Sequence, residues 1–96
     1  GISIDLPKAS AAPSLAKPKT RAITVTADGR IYLDTAQVTL AELEARLRTY
    51  RAADPELPVV VRGDAGVRYD RVVQVLDVIK ELDIASLGLV TQRLVK

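Results

Sequence analysis

Apolar and polar residues alternate at the start of the chain, over residues 2–6, and this period of two is typical of a strand with one buried face. The residues concerned are Ile2, Ile4, Asp5, Leu6 and, at the end of the pattern, Pro7. The following residues, 9–20, are rich in Ala, Ser, Pro and Lys, so they predict an extended linker. Two interpretations of the short strand stay open: a chance alternation at a truncation, or a strand that docks on the edge of a sheet, its own or a partner's.

Two further β-rich segments, residues 22–27 and 30–34, flank the pair Asp28-Gly29. Asp-Gly between two such segments is a strong hairpin signal, because a type I′ turn needs a positive φ at both central residues. We therefore predict a β-hairpin with this turn type.

Two longer segments have helical spacing. The first starts after Thr39, which forms a predicted capping box with Glu42, and continues to about residue 53. The second covers residues 69–82, and its apolar positions span more than half of the helix circumference, which is wider than one sheet face requires. Its excess apolar arc is either a subunit interface or the surface of a deeply buried helix. The residues assigned to this candidate dimer or core face are Tyr69, Val72, Val75, Leu76 and Ile79.

The remaining strands complete the expected fold. An unbroken apolar run at residues 58–62 predicts a strand that is covered on both faces or lies in the sheet centre, and residues 87–94 predict the last strand. The order ββαβαβ predicts an α/β two-layer sandwich, with two helices on one face of a four-stranded mixed sheet and the last two strands adjacent and parallel. We expect residues 1–21 to be the linker with its detachable strand, and residues 22–96 to be the folded domain.

The composition excludes most common types of catalytic and metal site. The 96 residues include no Cys and no His, which excludes thiolate or imidazole metal sites, Cys or His nucleophiles and a triad with an imidazole base. The net charge is +2, of which residues 1–21 carry +3 and residues 22–96 carry −1. A neutral domain with three aromatic residues lacks the basic stripe and the stacking residues of a nucleic-acid module, so we expect no nucleic-acid partner.

The remaining polar residues suggest no catalytic or metal site. Asp70, Asp77 and Glu81 share one helix face, where solvation is their expected role, and the hydroxyl groups have no activating base nearby in the sequence. We therefore assign no catalytic residue, no metal ligand and no cofactor. A turn at residues 63–66, flanked by Arg62 and Arg68, resembles an anion-binding turn only weakly.

Three stretches in order and spacing resemble the periplasmic domain of the ExbD/TolR family. The first is Ile4-Asp5-Leu6-Pro7 followed by the linker, the second runs from Val59 through Arg62-Gly63-Asp64 to the second helix, and the third is Leu87-Gly88-Leu89-Val90-Thr91-Gln92. The resemblance implies a non-enzymatic stator subunit, anchored at the periplasmic face of the bacterial inner membrane by a single transmembrane helix upstream of this sequence. The residue that carries protons in the family lies in that helix, so no residue of this chain is assigned the role.

The resemblance also implies partners. A homodimer would lie within a pentameric ExbB-like or TolQ-like channel, and its periplasmic domain would engage a TonB-like or TolA-like protein; TolR-like members are also associated with peptidoglycan. We expect an ExbD-like subunit that couples the proton motive force to TonB-dependent outer-membrane transport, with a TolR-like subunit of the Tol-Pal system as the alternative. A partner-docking edge is assigned to the last strand, at Leu87, Leu89, Val90, Thr91, Gln92 and Leu94.

One interpretation outside this family stays open. The chain would then be a small α/β ligand-binding or regulatory domain that uses the turn at residues 63–66.

Overall fold

Five strands and two helices follow one another in the part of the chain that the computed structural model describes, residues 20–92. In chain order they are β1 (Arg21–Val25), β2 (Ile31–Leu33), β3 (Ala36–Val38), α1 (Leu40–Ala53), β4 (Pro58–Asp64), α2 (Tyr69–Glu81) and β5 (Ser86–Gln92). The sheet is mixed and has the strand order β3-β2-β1-β4-β5. The predicted strand at residues 2–6 and the predicted linker at residues 9–19 lie outside the described residues.

The expected four-stranded ββαβαβ topology is wrong in one respect, because β3 is an additional strand that pairs with β2. A turn of two residues, Asp34 and Thr35, joins β2 to β3, and Asp34 has a φ of 55°. Asp tolerates this left-handed conformation better than most residues, since its short side chain can hydrogen-bond locally. A strand of three residues after a turn without Gly is too short to produce a recognisable alternation.

The first hairpin forms at the predicted place, although its turn differs from the predicted type I′. Gly29 has a φ of 90°, whereas Asp28 does not have a positive φ. The amide of Thr26 donates to the carbonyl of Arg30 across the turn, so the loop consists of the three residues between them. The Thr26 hydroxyl donates to the Asp28 carboxylate, and this bond, with the nearby Arg30 guanidinium, lowers the pKa of Asp28.

The strand β4 is an interior strand of the sheet, next to the middle strand β1, and it pairs in parallel with β1 on one side and β5 on the other. The two helices pack on the same sheet face, because their buried side chains join those of the strands in one apolar cluster. Burial of this surface is the main stabilising contribution to a domain of this size. The cluster consists of Ile23, Val25, Ile31, Leu33, Val38, Leu43, Leu47, Leu57, Val59, Val61, Val75, Val78, Ile79 and Ile84.

The start of α1 and the end of α2 are each defined by local hydrogen bonds. The predicted capping box at α1 is confirmed: the Glu42 amide donates to the Thr39 hydroxyl, and the Thr39 amide donates to the Glu42 carboxylate. At the end of α2, Asp83 has a φ of 59°, and the Ile84 amide donates to the Ile79 carbonyl at 3.2 Å. This arrangement, usually made with Gly, turns the chain sharply from α2 towards β5.

We expect Thr39→Ala to lower the free energy of unfolding by about 1 kcal/mol, because the first turn of α1 loses the hydroxyl that accepts its backbone amide. The matched control is Thr49→Ala on the exposed surface of the same helix, where the hydroxyl donates to the Ala45 carbonyl within the helix. The control should change stability by less than about 0.5 kcal/mol. Urea denaturation of the two variants measures the difference, and equal effects would contradict a capping role for Thr39.

Candidate partner-binding edge

The strand β5 forms one edge of the sheet. All seven of its residues pair with β4, from Ser86 opposite Pro58 to Gln92 opposite Asp64. In the described part of the chain no strand pairs with its other side. The outer backbone groups of an edge strand are a template for a further strand, so this edge, which we call the β5 edge (Ser86–Gln92), is open to strand addition.

Apolar side chains of the β5 edge are exposed, although two of them face the helix layer. Leu87 is opposite Val59, and Leu89 is opposite Val61 in the register with β4. The exposed fraction is 44% for Leu87 and 61% for Leu89, against 2% for Val59 and 0% for Val61. The helices therefore cover β4 and leave the same face of β5 uncovered.

Edge strands of natural proteins are usually protected by charged side chains, Pro, bulges or short length. The β5 edge has no charged residue and no Pro between Asp83 and Arg93. On its opposite face Val90 is 41% exposed, so apolar surface is present on both sides of the strand. The other sheet edge, β3, has only three residues. The β5 edge is the longer and less protected of the two edges, which favours it as a site for a partner strand.

The helix α2 has an apolar flank on the side away from the first hairpin. Arg71 lies on the side of α2 that faces the first hairpin, where its guanidinium donates twice to the Gly29 carbonyl. Tyr69 and Leu76 are about 160° and 140° around the helix from Arg71, so they lie on the other side of α2. Tyr69 is 81% exposed and Leu76 is half-buried. With Val72 they form what we call the α2 flank (Tyr69, Val72 and Leu76).

The structure divides the sequence-assigned face of the second helix into two groups. Val75 and Ile79 are buried in the core of the same chain. The α2 flank lies at the border of this core, with one aromatic side chain almost fully exposed. A role of the flank in dimerisation stays a prediction.

Other sequence-assigned residues do not all reach the same place. The strand residues Ile2, Ile4, Asp5, Leu6 and Pro7, and Leu94 of the predicted docking edge, lie outside the described residues. Leu87, Leu89, Val90 and Thr91 lie on β5 as expected, together with the backbone of Gln92. Sequence reasoning missed the difference in cover between β4 and β5, since an apolar alternation looks the same whether or not a helix lies above it.

The turn at residues 63–66 is held by contacts of its own. The Gly66 amide donates to the Asp64 carboxylate at 2.8 Å. The backbone of Gly63 packs closely against Val67, since a Cβ added at Gly63 would lie only 3.3 Å from the Val67 side chain. Arg68 forms an exposed ion pair with Asp70 at 2.8 Å. These contacts give the turn a structural role between β4 and α2 and lend no support to a ligand-binding interpretation.

Two other features are absent from residues 20–92. In this range no group of three or more acidic side chains is arranged to hold a metal ion. No helix there combines the length and hydropathy needed to cross a bilayer.

The sequence is similar to those of known proteins. Residues 1–94 match the model of the family described as biopolymer transport protein ExbD/TolR. The chain belongs to this family. A curated relative, the biopolymer transport protein ExbD of Aquifex aeolicus (strain VF5), is 25% identical over 92 residues, which cover 96% of this chain and 67% of the relative.

Membership confirms the resemblance inferred from the sequence motifs. Proteins of the ExbD/TolR family are anchored in the inner membrane, have a periplasmic domain and are associated with transport, and they are not known as enzymes. The family works in general with the ExbB/TolQ and TonB/TolA systems. A surface for protein contacts is therefore the kind of site to expect in this chain.

We expect Leu89→Thr to change the free energy of unfolding by less than about 0.5 kcal/mol, because Leu89 is exposed and Thr suits a strand. The matched control is Val61→Thr, at the position paired with Leu89 on the same sheet face. This control should cost about 1–3 kcal/mol, since its hydroxyl would be buried among apolar side chains. Thermal or urea denaturation measures both, and a large loss for Leu89→Thr would show that β5 is covered within the monomer.

Proposed function

We propose that this chain is the periplasmic domain of an ExbD-like stator subunit, which couples the inner-membrane proton motive force to TonB-dependent outer-membrane transport through protein contacts. Support comes from the match over residues 1–94 and from the ExbD name of the Aquifex relative. A single-pass membrane anchor upstream of residue 1 is part of this proposal. A TolR-like subunit of the Tol-Pal system, with peptidoglycan as a further ligand, is the alternative within the family.

The observation that carries the proposal is the β5 edge. Its seven residues are paired with β4 on one side and are uncharged, and two of them are exposed leucines. A partner strand added here would gain main-chain hydrogen bonds along its length and would cover Leu87 and Leu89. Main-chain bonds provide affinity, and the apolar side chains select a partner with apolar residues at alternate positions.

The same mode of binding accounts for the start of the chain. Ile2, Ile4 and Leu6 alternate with polar residues before Pro7, so this segment fits an added strand. In our proposal it adds to a sheet edge across a homodimer, which lies within a pentameric ExbB-like or TolQ-like channel. Amide exchange in the intact complex tests this: we expect protected amides over residues 2–6, and unprotected amides there would remove the strand from the proposal.

The TonB-like partner is tested by NMR titration of the isotope-labelled chain with periplasmic segments of a TonB-like and, separately, a TolA-like protein from the same organism. We expect selective shifts along Ser86–Gln92 with one of the two, because the added strand changes the environment of those amides. Shifts with the TonB-like segment alone support the ExbD-like subunit, and shifts with the TolA-like segment alone support the TolR-like subunit.

Two variants locate the contact. Leu89→Lys puts a charge on the β5 edge and should weaken binding by at least about tenfold, or about 1.4 kcal/mol. The matched control, Gln37→Lys, adds the same charge on the other edge strand, at an exposed position. The control should bind like the parent chain. Equal weakening by both variants, or shifts confined to surfaces other than β5, would contradict docking at the β5 edge.

A further inference from the structure

Arg21 is the residue at which the preceding part of the chain joins the sheet. It is the first residue of β1, and Thr20 is the first described residue before it. The preceding chain is covalently joined to the described domain through the backbone at this position, so a force applied along that chain reaches the sheet here. In the proposed stator such a force arises whenever a partner pulls on the domain while its upstream anchor holds it in place.

The side chain of Arg21 is fixed by two other elements. Its guanidinium carbon lies 3.8 Å from the centre of the Tyr50 ring on α1, which is the distance of a cation–π contact. One terminal nitrogen, Nη1, donates to the Asp34 carboxylate at 2.9 Å. A planar guanidinium can stack on a ring and pair with a carboxylate at the same time, whereas a Lys ammonium cannot.

Asp34 holds the backbone of the neighbouring residue as well. Its second carboxylate oxygen accepts the Ala22 amide at 3.1 Å, and its own amide donates to the Ala22 carbonyl at 2.7 Å. Asp34 does this from the turn between β2 and β3, in the left-handed conformation with a φ of 55°. The start of β1 is thus fastened to the β2–β3 turn through three hydrogen bonds and to α1 through a stacked ring.

The Arg21 side chain is not fully hydrogen-bonded among the described residues. Its Nε is buried and has no hydrogen-bond partner there. A buried donor without a partner is destabilising, so it offsets part of what the ion pair and the stacked ring contribute. The contacts lie at the junction with the preceding chain, where a pull on that chain would load them.

We propose that Arg21, Asp34 and Tyr50 form a clamp that carries mechanical load from the preceding chain into the domain. The strand β1 lies between β2 and β4, so a pull on its first residue acts on both neighbours at once. Without the clamp the end of β1 would peel from β2, beginning at Ala22. With the clamp the load is shared with α1 and with the β2–β3 turn before any bond of the β1 ladder breaks. The physiological role of the clamp rests on the proposed function, whereas its mechanics do not.

Optical-tweezers unfolding of the 96-residue chain tests the clamp directly. The chain has no Cys, so introduced cysteines provide unique attachment points. One pulling axis joins Thr20→Cys to Glu81→Cys and passes through the clamp. A second axis joins Thr91→Cys on β5 to Glu81→Cys on α2, and neither of these elements contains a clamp residue; all three positions are exposed.

Two variants are used. Arg21→Lys keeps the charge and loses the planar guanidinium that stacks on the Tyr50 ring. Asp34→Asn tolerates the left-handed conformation and loses the ion pair. Under the same load on the Thr20 axis, each should unfold about tenfold faster than the parent chain. On the Thr91 axis each should change the rate by less than about twofold. The matched control is Arg71→Lys, at a second guanidinium that joins two elements, and it should not distinguish the two axes.

Two results would overturn the clamp. One is an unchanged unfolding rate on the Thr20 axis for both variants, and the other is an equal acceleration on both axes, which would show a general contribution to stability. The pulling experiment requires no partner protein. Failure of the clamp is therefore distinguishable from failure of the proposed function, which the NMR titration tests separately.

Discussion

The parallel register of β4 with β1 and β5 is the interaction on which the rest of the structure depends. It places Val59 and Val61 on the covered face of the sheet, and it sets Leu87 and Leu89 beside them on the same face. Since the helix layer ends above β4, the first pair is buried and the second pair is exposed. A single register therefore produces both the core of the domain and the apolar edge available to partners.

This arrangement explains how a chain with few residue types suited to catalysis or metal binding can still have a function. The sequence contains no Cys and no His, and the polar contacts of the described residues serve turns, caps and ion pairs. The fold offers an open strand edge at β5 and a firmly held start of the middle strand, β1. Both suit a member of the ExbD/TolR family, whose work is associated with protein contacts and transport.

Hydrophobic patterning predicted both helices, the first hairpin and the strands β4 and β5, because each has a period or a run long enough to be recognised. It missed β3, since three residues after an Asp34-Thr35 turn produce no period, and it assigned the wrong turn type at Asp28-Gly29. The apolar edge residues were predicted, whereas their exposure was not, because cover by a helix is a tertiary property. The contacts of Arg21 also join residues far apart in the sequence, so no local pattern could indicate them.

Hydrogen exchange of the β5 amides is the most direct measurement of whether the edge is a docking site. It compares residues 86–92 in the free chain with the same residues in the proposed assembly, which contains the membrane anchor, the channel protein and a TonB-like protein. We expect the outward-facing amides to exchange rapidly in the free chain and to become protected in the assembly, because a partner strand would accept their hydrogen bonds. Amides that exchange equally fast in both states, while the partner is bound, would contradict strand addition at β5.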